Sequence, residues 1–274
     1  MLVVKKIKNR GKRVLSYVRE KQVDYRTRPW KSLTNKGKKR SGRMKSGAIS
    51  VRRRGGGRKR RYRILNLKAL QGEFQVERLE KDPNRSAFIA LIKSQDQQYS
   101  YILATNGLKP GQKIIFGDNA PIQEGNRTML KRIPAGSIIS TIQLNPDSPA
   151  QLARSAGSFA KLMGCEKGFA QVKLPSGEIR LIKQTCYASI GQVSNLEYNA
   201  QRIGKAGRRR NMGFRPQVRG KVMNPADHPH GGGEGNQPIG LPHPKTPWGK
   251  PALGVRTRRK KTKSNKYILK RRSK

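Results

Sequence analysis

The sequence predicts a mainly β protein: two small β-barrels, an oligonucleotide-binding fold and then an SH3-like barrel, with long irregular basic extensions at both ends. Three observations lead there. Charge is spread unevenly, with a net of +24 over residues 1–70, +1 over 71–150, +3 over 151–200 and +19 over 201–274. Apolar residues make up only 34% of the 274 residues, so a normal core density is reached only if they are confined to residues 62–200. In that stretch they fall in strand-sized runs punctuated by Gly, Pro, Asn and Asp, the pattern of a many-stranded β domain. Extensions so poor in acids repel themselves and do not collapse alone; they require a dense polyanion to lie against.

Residues 1–61 hold Lys, Arg and Gly with sparse apolar residues and no sustained period. They read as a basic RNA-binding arm that gains structure on binding. In residues 62–130 five strands are expected: Tyr62–Leu67, Phe74–Leu79, Ala87–Ile92, Tyr99–Ala104 and Lys113–Phe116. Asp82-Pro83-Asn84, Asn106-Gly107 and Pro110-Gly111 divide them. Five short strands so closely spaced suit the oligonucleotide-binding barrel. Residues 131–203 supply a second set after the Pro134-Ala135-Gly136 turn: Ser137–Leu144, Ser158–Met163, Phe169–Leu174, Glu178–Lys183 and Ala188–Val193. Ala170, Val172 and Leu174 share one face and Gln171 and Lys173 the other, and Pro175-Ser176-Gly177 returns the chain as a hairpin. Asn195–Ile203 reads as a short helix. Over 204–274 the Gly, Pro and basic content rises again and predicts an extended, irregular tail.

Several classes fall away on composition. No apolar run approaches the roughly 20 residues of a membrane helix, and no signal-peptide pattern opens the chain. Cys165 and Cys186 form no Cys-x-x-Cys pair and have no His beside them, so they read as small buried hydrophobes in a reducing compartment. Neither a membrane, a cofactor, a metal nor a small-molecule substrate is expected.

Chemistry concentrates in two clusters. In the first, Arg52, Arg53, Arg54, Arg58, Lys59, Arg60, Arg61 and Arg63 bracket Gly55, Gly56 and Gly57. Glycine lets a backbone approach phosphate closely, and arginine forks grip phosphate oxygens in pairs. The bland alternative is a solvated charge run. A nucleotide loop is disfavoured by the missing Gly-Lys-Ser/Thr ending. Aromatic residues are scarce in the arm, so phosphate neutralisation and RNA shape should dominate over base stacking.

The second cluster is Met223 to Gly235, with Asp227, His228, His230, Gly231, Gly232, Gly233 and Glu234. Three readings compete there: a metal site, a general acid–base pair of His228 oriented by Asp227, and a rigid loop whose histidines touch phosphates or base edges. The last is favoured, because Pro229 and the glycines give a metal little scaffold. Lys205, Arg208, Arg209, Arg210, Arg215 and Arg219 repeat the arginine–glycine logic, and Arg258, Arg259, Lys260 and Lys261 extend it. Arg154, in Gln151–Gly157, faces RNA or is an ordinary surface arginine. Trp248, in Pro247-Trp248-Gly249, packs on its own barrel or stacks on a base.

The basic-flanked Gly55-Gly56-Gly57, the run Asp82-Pro83-Asn84-Arg85-Ser86-Ala87, Gln151–Gly157 and Asn224–Gly235 together resemble the fingerprints of the ribosomal protein L2 family of the large subunit. The similarity runs in order from about Gly47 to the C-terminus. It implies the same two barrels, binding to large-subunit ribosomal RNA, and a tail near the peptidyl-transferase region. It further implies roles in subunit association, tRNA binding and support of peptide-bond formation, with His228 matching the family histidine. Two departures stand out. Arg58 replaces the histidine that usually follows the glycines, and the run Pro238 to Gly254 is similar to plastid members. The first forty residues match poorly.

The function expected is therefore that of a non-enzymatic structural constituent of the large ribosomal subunit. Its partners would be large-subunit rRNA, other large-subunit proteins, the small subunit and tRNA; its place a plastid (chloroplast) ribosome, or else a bacterial cytoplasmic one. An RNA-acting acyl-transfer enzyme using Asp227 and His228, or a free RNA chaperone, is the alternative. The first lacks a nucleophile beside those residues.

Overall fold

Sixteen strands and one α-helix appear among the residues described by the computed structural model, namely 2–6, 14–36, 40–68, 70–234 and 238–272. The chain divides into two compact units. The first contains Met1–Lys38, Lys59–Lys205 and Ser264–Lys274; the second contains Lys39–Arg58 and Ala206–Lys263.

All sixteen strands belong to the first unit. They are β1 Leu2–Lys6, β2 Val14–Val18, β3 Val23–Asp24, β4 Thr34–Asn35, β5 Tyr62–Arg63, β6 Gly72–Lys81, β7 Phe88–Ser94 and β8 Tyr99–Leu103. These are followed by β9 Lys113–Phe116, β10 Arg127–Met129, β11 Ile138–Ser140, β12 Ala160–Glu166, β13 Phe169–Lys173, β14 Ile179–Lys183, β15 Tyr187–Ile190 and β16 Ile268–Lys270. Their main path runs β16-β14-β13-β12-β11-β15-β10-β9-β6-β7-β8, with β3 added beside β6. The fold is thus mostly β and sheet-rich in two consecutive sections, consistent with the two barrel types expected.

In the first section β6 pairs antiparallel with both β7 and β9, and a bulge between Val76 and Arg78 bends it. Phe74, Val76, Phe88, Ala90, Ile92 and Ile114 fill one core. Ile89, Leu91 and Tyr101 point to the opposite face, where Leu33, Leu65 and Val193 cover them. That two-sided burial explains the unbroken apolar run 88–92, since a strand covered on both faces has no polar side to alternate with.

The second section packs Ile139, Ile142, Leu162, Ala170, Val172, Ile182 and Ile190 together. Ala170 and Val172 are buried as the alternation required, and Gly177, at φ +85°, closes the hairpin by donating its N–H to Leu174 O at 2.9 Å. Cys186 is fully buried, and burial pushes its thiol up to about 11. Cys165 is half-buried.

Three expectations are corrected by local backbone geometry. The strand expected over Ser137–Leu144 stops at Ser140, because Thr141 turns the chain at φ +48°. The strand expected to reach Val193 stops at Ile190, before Gly191 at φ +99°. The helix expected over Asn195–Ile203 is a 3-10 turn, Leu196–Ala200, that buries no residue and starts from a left-handed Asn195.

The basic arm is also more structured than its composition suggests. β1 pairs with β2, and β3 lies parallel to β6. Ser16 exchanges hydrogen bonds with Arg202, donating its N–H to Arg202 O at 3.1 Å and accepting from Arg202 N–H through Oγ at 2.7 Å. Val18 and Val23 are buried, Tyr25 meets Phe88 edge-on at 6.3 Å, and Trp30 lies 4.2 Å from Tyr99. A few well-spaced apolar side chains together with the pairing of β2, β3 and β4 give residues 14–35 defined contacts. Residues 7–13 and 37–39 of the arm, and Gly235 of the tail motif, lie outside the described residues. The tail is not irregular throughout: it holds the short helix α1, Ala206–Asn211, an antiparallel bridge of Lys245 with Pro251, and β16, which pairs with β14.

Candidate nucleic-acid interface

Within the second unit two distant basic segments run antiparallel. Arg215 N–H donates to Arg53 O, Gly55 N–H to Gly213 O and Arg58 N–H to Asn211 O, each at 3.0 Å. The crossing requires glycine: a Cβ on Gly57 would stand 2.8 Å from the backbone of Gly213. Gly57 therefore faces another chain segment, and the phosphate-approach reading of the triple glycine passes to Gly56, which has φ +64° and open space around it.

This ladder brings Arg52, Arg53, Arg54, Arg209, Arg210 and Arg215 onto one open cleft of about 390 Å³, lined also by Phe214 and by no acidic residue. An adjoining recess of about 520 Å³ shares Arg53, Arg54 and Arg215 and adds Arg43, Gly55 and Gly56. Aromatic rings steady the guanidinium groups. Arg54 lies 4.2 Å and Arg209 5.6 Å from the Phe214 ring centre, and Arg52 lies 5.1 Å from that of Trp248. Arg53 donates to Gln217 Oε1 at 2.6 Å. A cleft walled by like charges is electrostatically incomplete without an anion, and the guanidinium forks suit phosphate.

The other basic residues fall elsewhere. Arg208 shares α1 with Arg209 and Arg210 but lies off the cleft wall. Arg58, Arg219, Arg258, Arg259, Lys260 and Lys261 are exposed in the second unit, and Lys59, Arg61 and Lys205 are exposed in the first. Arg60 donates to Pro83 O at 2.8 Å. Arg63 is the exception among the sequence candidates. It is buried, with Nε 3.0 Å from Glu80 Oε2 and Nη1 3.5 Å from Asp82 Oδ1. Its guanidinium ties β5 to β6 and to the turn after it, so RNA contact is not its place in this fold.

Glu80 anchors that network. It is 1% exposed, and it also accepts from Arg78 Nε and from the Tyr101 hydroxyl, both at 2.8 Å. Tyr101 in turn accepts the Trp30 N–H at 2.9 Å. Burial, reinforced by the Glu80 carboxylate, raises the Tyr101 phenol above its ordinary value.

Arg154 is exposed and shares a groove of about 810 Å³ with Arg85, Tyr62, Asn84, Ser86, Gln151 and Ser155. Arg85 was not singled out by charge patterning. Its side chain contacts Asp82 Oδ2 at 2.6 Å and lies 5.5 Å from the Tyr62 ring centre. The signal for it was the Asp82-Pro83-Asn84-Arg85 turn itself, which bends the chain so that Arg85 returns toward Asp82.

The histidine loop is held by its own rings. His230 N–H donates to His228 Nδ1 at 3.0 Å, and Lys245 N–H donates to His230 Nε2 at 2.8 Å. Each accepting nitrogen must be unprotonated, so His228 carries its proton on Nε2 and His230 on Nδ1. His228 is 8% exposed, and its ring packs where Gly220 has no Cβ; one placed there would stand 2.5 Å from Nδ1. Burial, then His230 and then Arg52, lower the His228 pKa below the ordinary 6.5. Asp227 is exposed, and Nδ1 of His228 is engaged by His230, so the acid–base pairing of Asp227 with that nitrogen is absent. Gly231 packs against the Asn224 carbonyl and Gly232, at φ +96°, against Pro225. These two glycines serve chain packing, while Gly233 is exposed.

A sheet-rich body joined to a cationic unit whose arginines line an acid-free cleft defines a protein of the nucleic-acid-binding class. Family comparison gives the identity within that class. Residues 30–116 match the model described as Ribosomal Proteins L2, RNA binding N-terminal domain, and residues 123–249 match Ribosomal Proteins L2, C-terminal domain. The chain belongs to the ribosomal protein L2 family. It is a structural protein of the large ribosomal subunit that binds ribosomal RNA.

Proposed function

We propose that the second unit reaches toward the peptidyl-transferase region of the subunit, and that through this position the protein supports subunit association, tRNA binding and peptide-bond formation. The acid-free arginine cleft carries this reading: six guanidinium groups on one wall suit a tight bend of RNA backbone, where phosphates crowd. His228 contributes as a fixed, neutral part of the loop and leaves the chemistry to the RNA. In the first unit, the groove holding Arg85 and Arg154 is the second RNA contact.

The sheet sections at 62–130 and 131–203 act as an oligonucleotide-binding barrel and an SH3-like barrel. The run 238–254, similar to plastid members of the family, favours a plastid ribosome over a bacterial one. The test is crosslinking of the full chain in cells, followed by sequencing of the attached RNA and sedimentation of the particle. Co-migration with large subunits, with crosslinks from the second unit close to the peptidyl-transferase centre, supports the reading. Crosslinks only to peripheral helices overturn it, as does a particle-free protein.

A further inference from the structure

Residues 244–252 form a small hairpin. Lys245 bridges Pro251 antiparallel, and Ala252 N–H donates to Pro244 O at 2.8 Å. Thr246 N–H donates to Lys250 O at 2.7 Å, and Gly249 N–H closes the turn on Thr246 O at 2.9 Å. Proline at the second turn position fixes its own φ, which places Pro247 where a tight turn wants it. The base of the hairpin is fastened to the histidine loop through the Lys245–His230 bond. At the tip stands Trp248, 70% exposed, with the Arg52 guanidinium 5.1 Å from its ring centre.

A large apolar ring held out on a stiff turn has not been placed there by core packing. Its surroundings decide the partner. The second unit carries twenty-two basic side chains against two acidic ones, Asp227 and Glu234. A partner for the indole must therefore be strongly anionic and must offer a flat π surface. An unstacked nucleobase on its own phosphate chain has both properties, and base–aromatic stacking tolerates any base because each has a π face. We propose that Trp248 and Arg52 form a stacking platform for one extruded nucleobase of the bound RNA, the indole taking the base and the guanidinium an adjoining phosphate. The inference rests on the RNA-binding reading and adds to it a single-stranded contact that the aromatic-poor composition disfavoured.

The chain has two tryptophans, so Trp30→Phe leaves Trp248 as the sole indole reporter in the full-length protein. Titration with a short oligoadenylate should quench its fluorescence. An abasic oligomer with the same number of phosphates should bind without quenching. Trp248→Ala should weaken oligoadenylate binding about tenfold with the salt slope unchanged, should leave abasic binding as it was, and Trp248→Phe should restore most of the loss. Arg52→Ala should flatten the slope by about 0.7. Equal quenching by both oligomers, or equal weakening of both by Trp248→Ala, overturns the platform. Failure of the unsubstituted chain to bind either oligomer overturns the RNA reading beneath it.

Discussion

Replacing Arg52, Arg53 and Arg54 together with alanine isolates the electrostatic part of binding. All three line the cleft. Arg52 lies on Trp248, Arg54 lies on Phe214, Arg53 bonds Gln217, and none forms a salt bridge among the described residues. Removing them strands no buried acid, so the fold should be little affected and the change should appear in binding. Each phosphate neutralised contributes about 0.7 to 0.9 to the slope of log affinity against log salt, so three arginines account for about 2 to 3 units. Between 50 and 200 mM salt, that makes the affinity loss of the triple variant about 20- to 40-fold smaller than that of the unsubstituted protein. Fluorescence anisotropy with a labelled fragment of large-subunit rRNA at four or five salt concentrations measures it. A slope within half a unit of the original would show that these guanidinium groups touch no phosphate.

Other expectations concern the supports of the site. Glu80→Ala removes the shared acceptor of Arg63, Arg78 and Tyr101 and should destabilise the protein by about 3 kcal/mol, as breaking a buried ion network does; a denaturant midpoint that does not move would refute it. Gly220→Ala drives a methyl group into the His228 ring, so the imidazole NMR signals should shift while binding through the arginine cleft persists. Because the folded-state pKa of His228 lies below 6.5, its contribution to stability is whole above that pH and is lost as pH falls below it. The protection factors of amides in residues 223–232, with the intrinsic pH dependence of exchange divided out, should accordingly fall on acidification from pH 7.5 to 5, and protection that does not change with pH would contradict the accepting role of Nδ1.

Much of the β framework was legible because it is written locally. The hairpin at Pro175-Ser176-Gly177 and the alternation of Ala170, Gln171, Val172 and Lys173 need only neighbouring residues to be read. Long-range pairing was not legible. Nothing near Arg63 announces that Glu80 and Asp82 will enclose it, although two acids only one residue apart in so basic a chain were a hint. The clusters at 52–54 and 209–215 were each recognised as basic, but their meeting depends on Gly57 lying against Gly213, a contact between remote segments. The N-terminal strands were hidden for a related reason: Val18, Val23 and Leu33 are too few to set a period, and it is the sheet beneath them that makes them count. For the histidine loop the sequence shows which residue types gather, whereas the way the rings are held turns on backbone N–H groups that a sequence does not display.

The pairing of β16 with β14 has a topological result. The chain passes from the first unit to the second after Lys205 and returns at Ser264, where β16 then pairs with β14, so the cationic stretch 206–263 is a loop fastened at either end. A closed ring of RNA cannot come to encircle a single strand of a loop so fastened, because no free end is there to thread. Either the nucleic acid folds shut around that strand during assembly, or the two register pairs that hold β16, Ile179 with Lys270 and Arg180 with Ile268, must open.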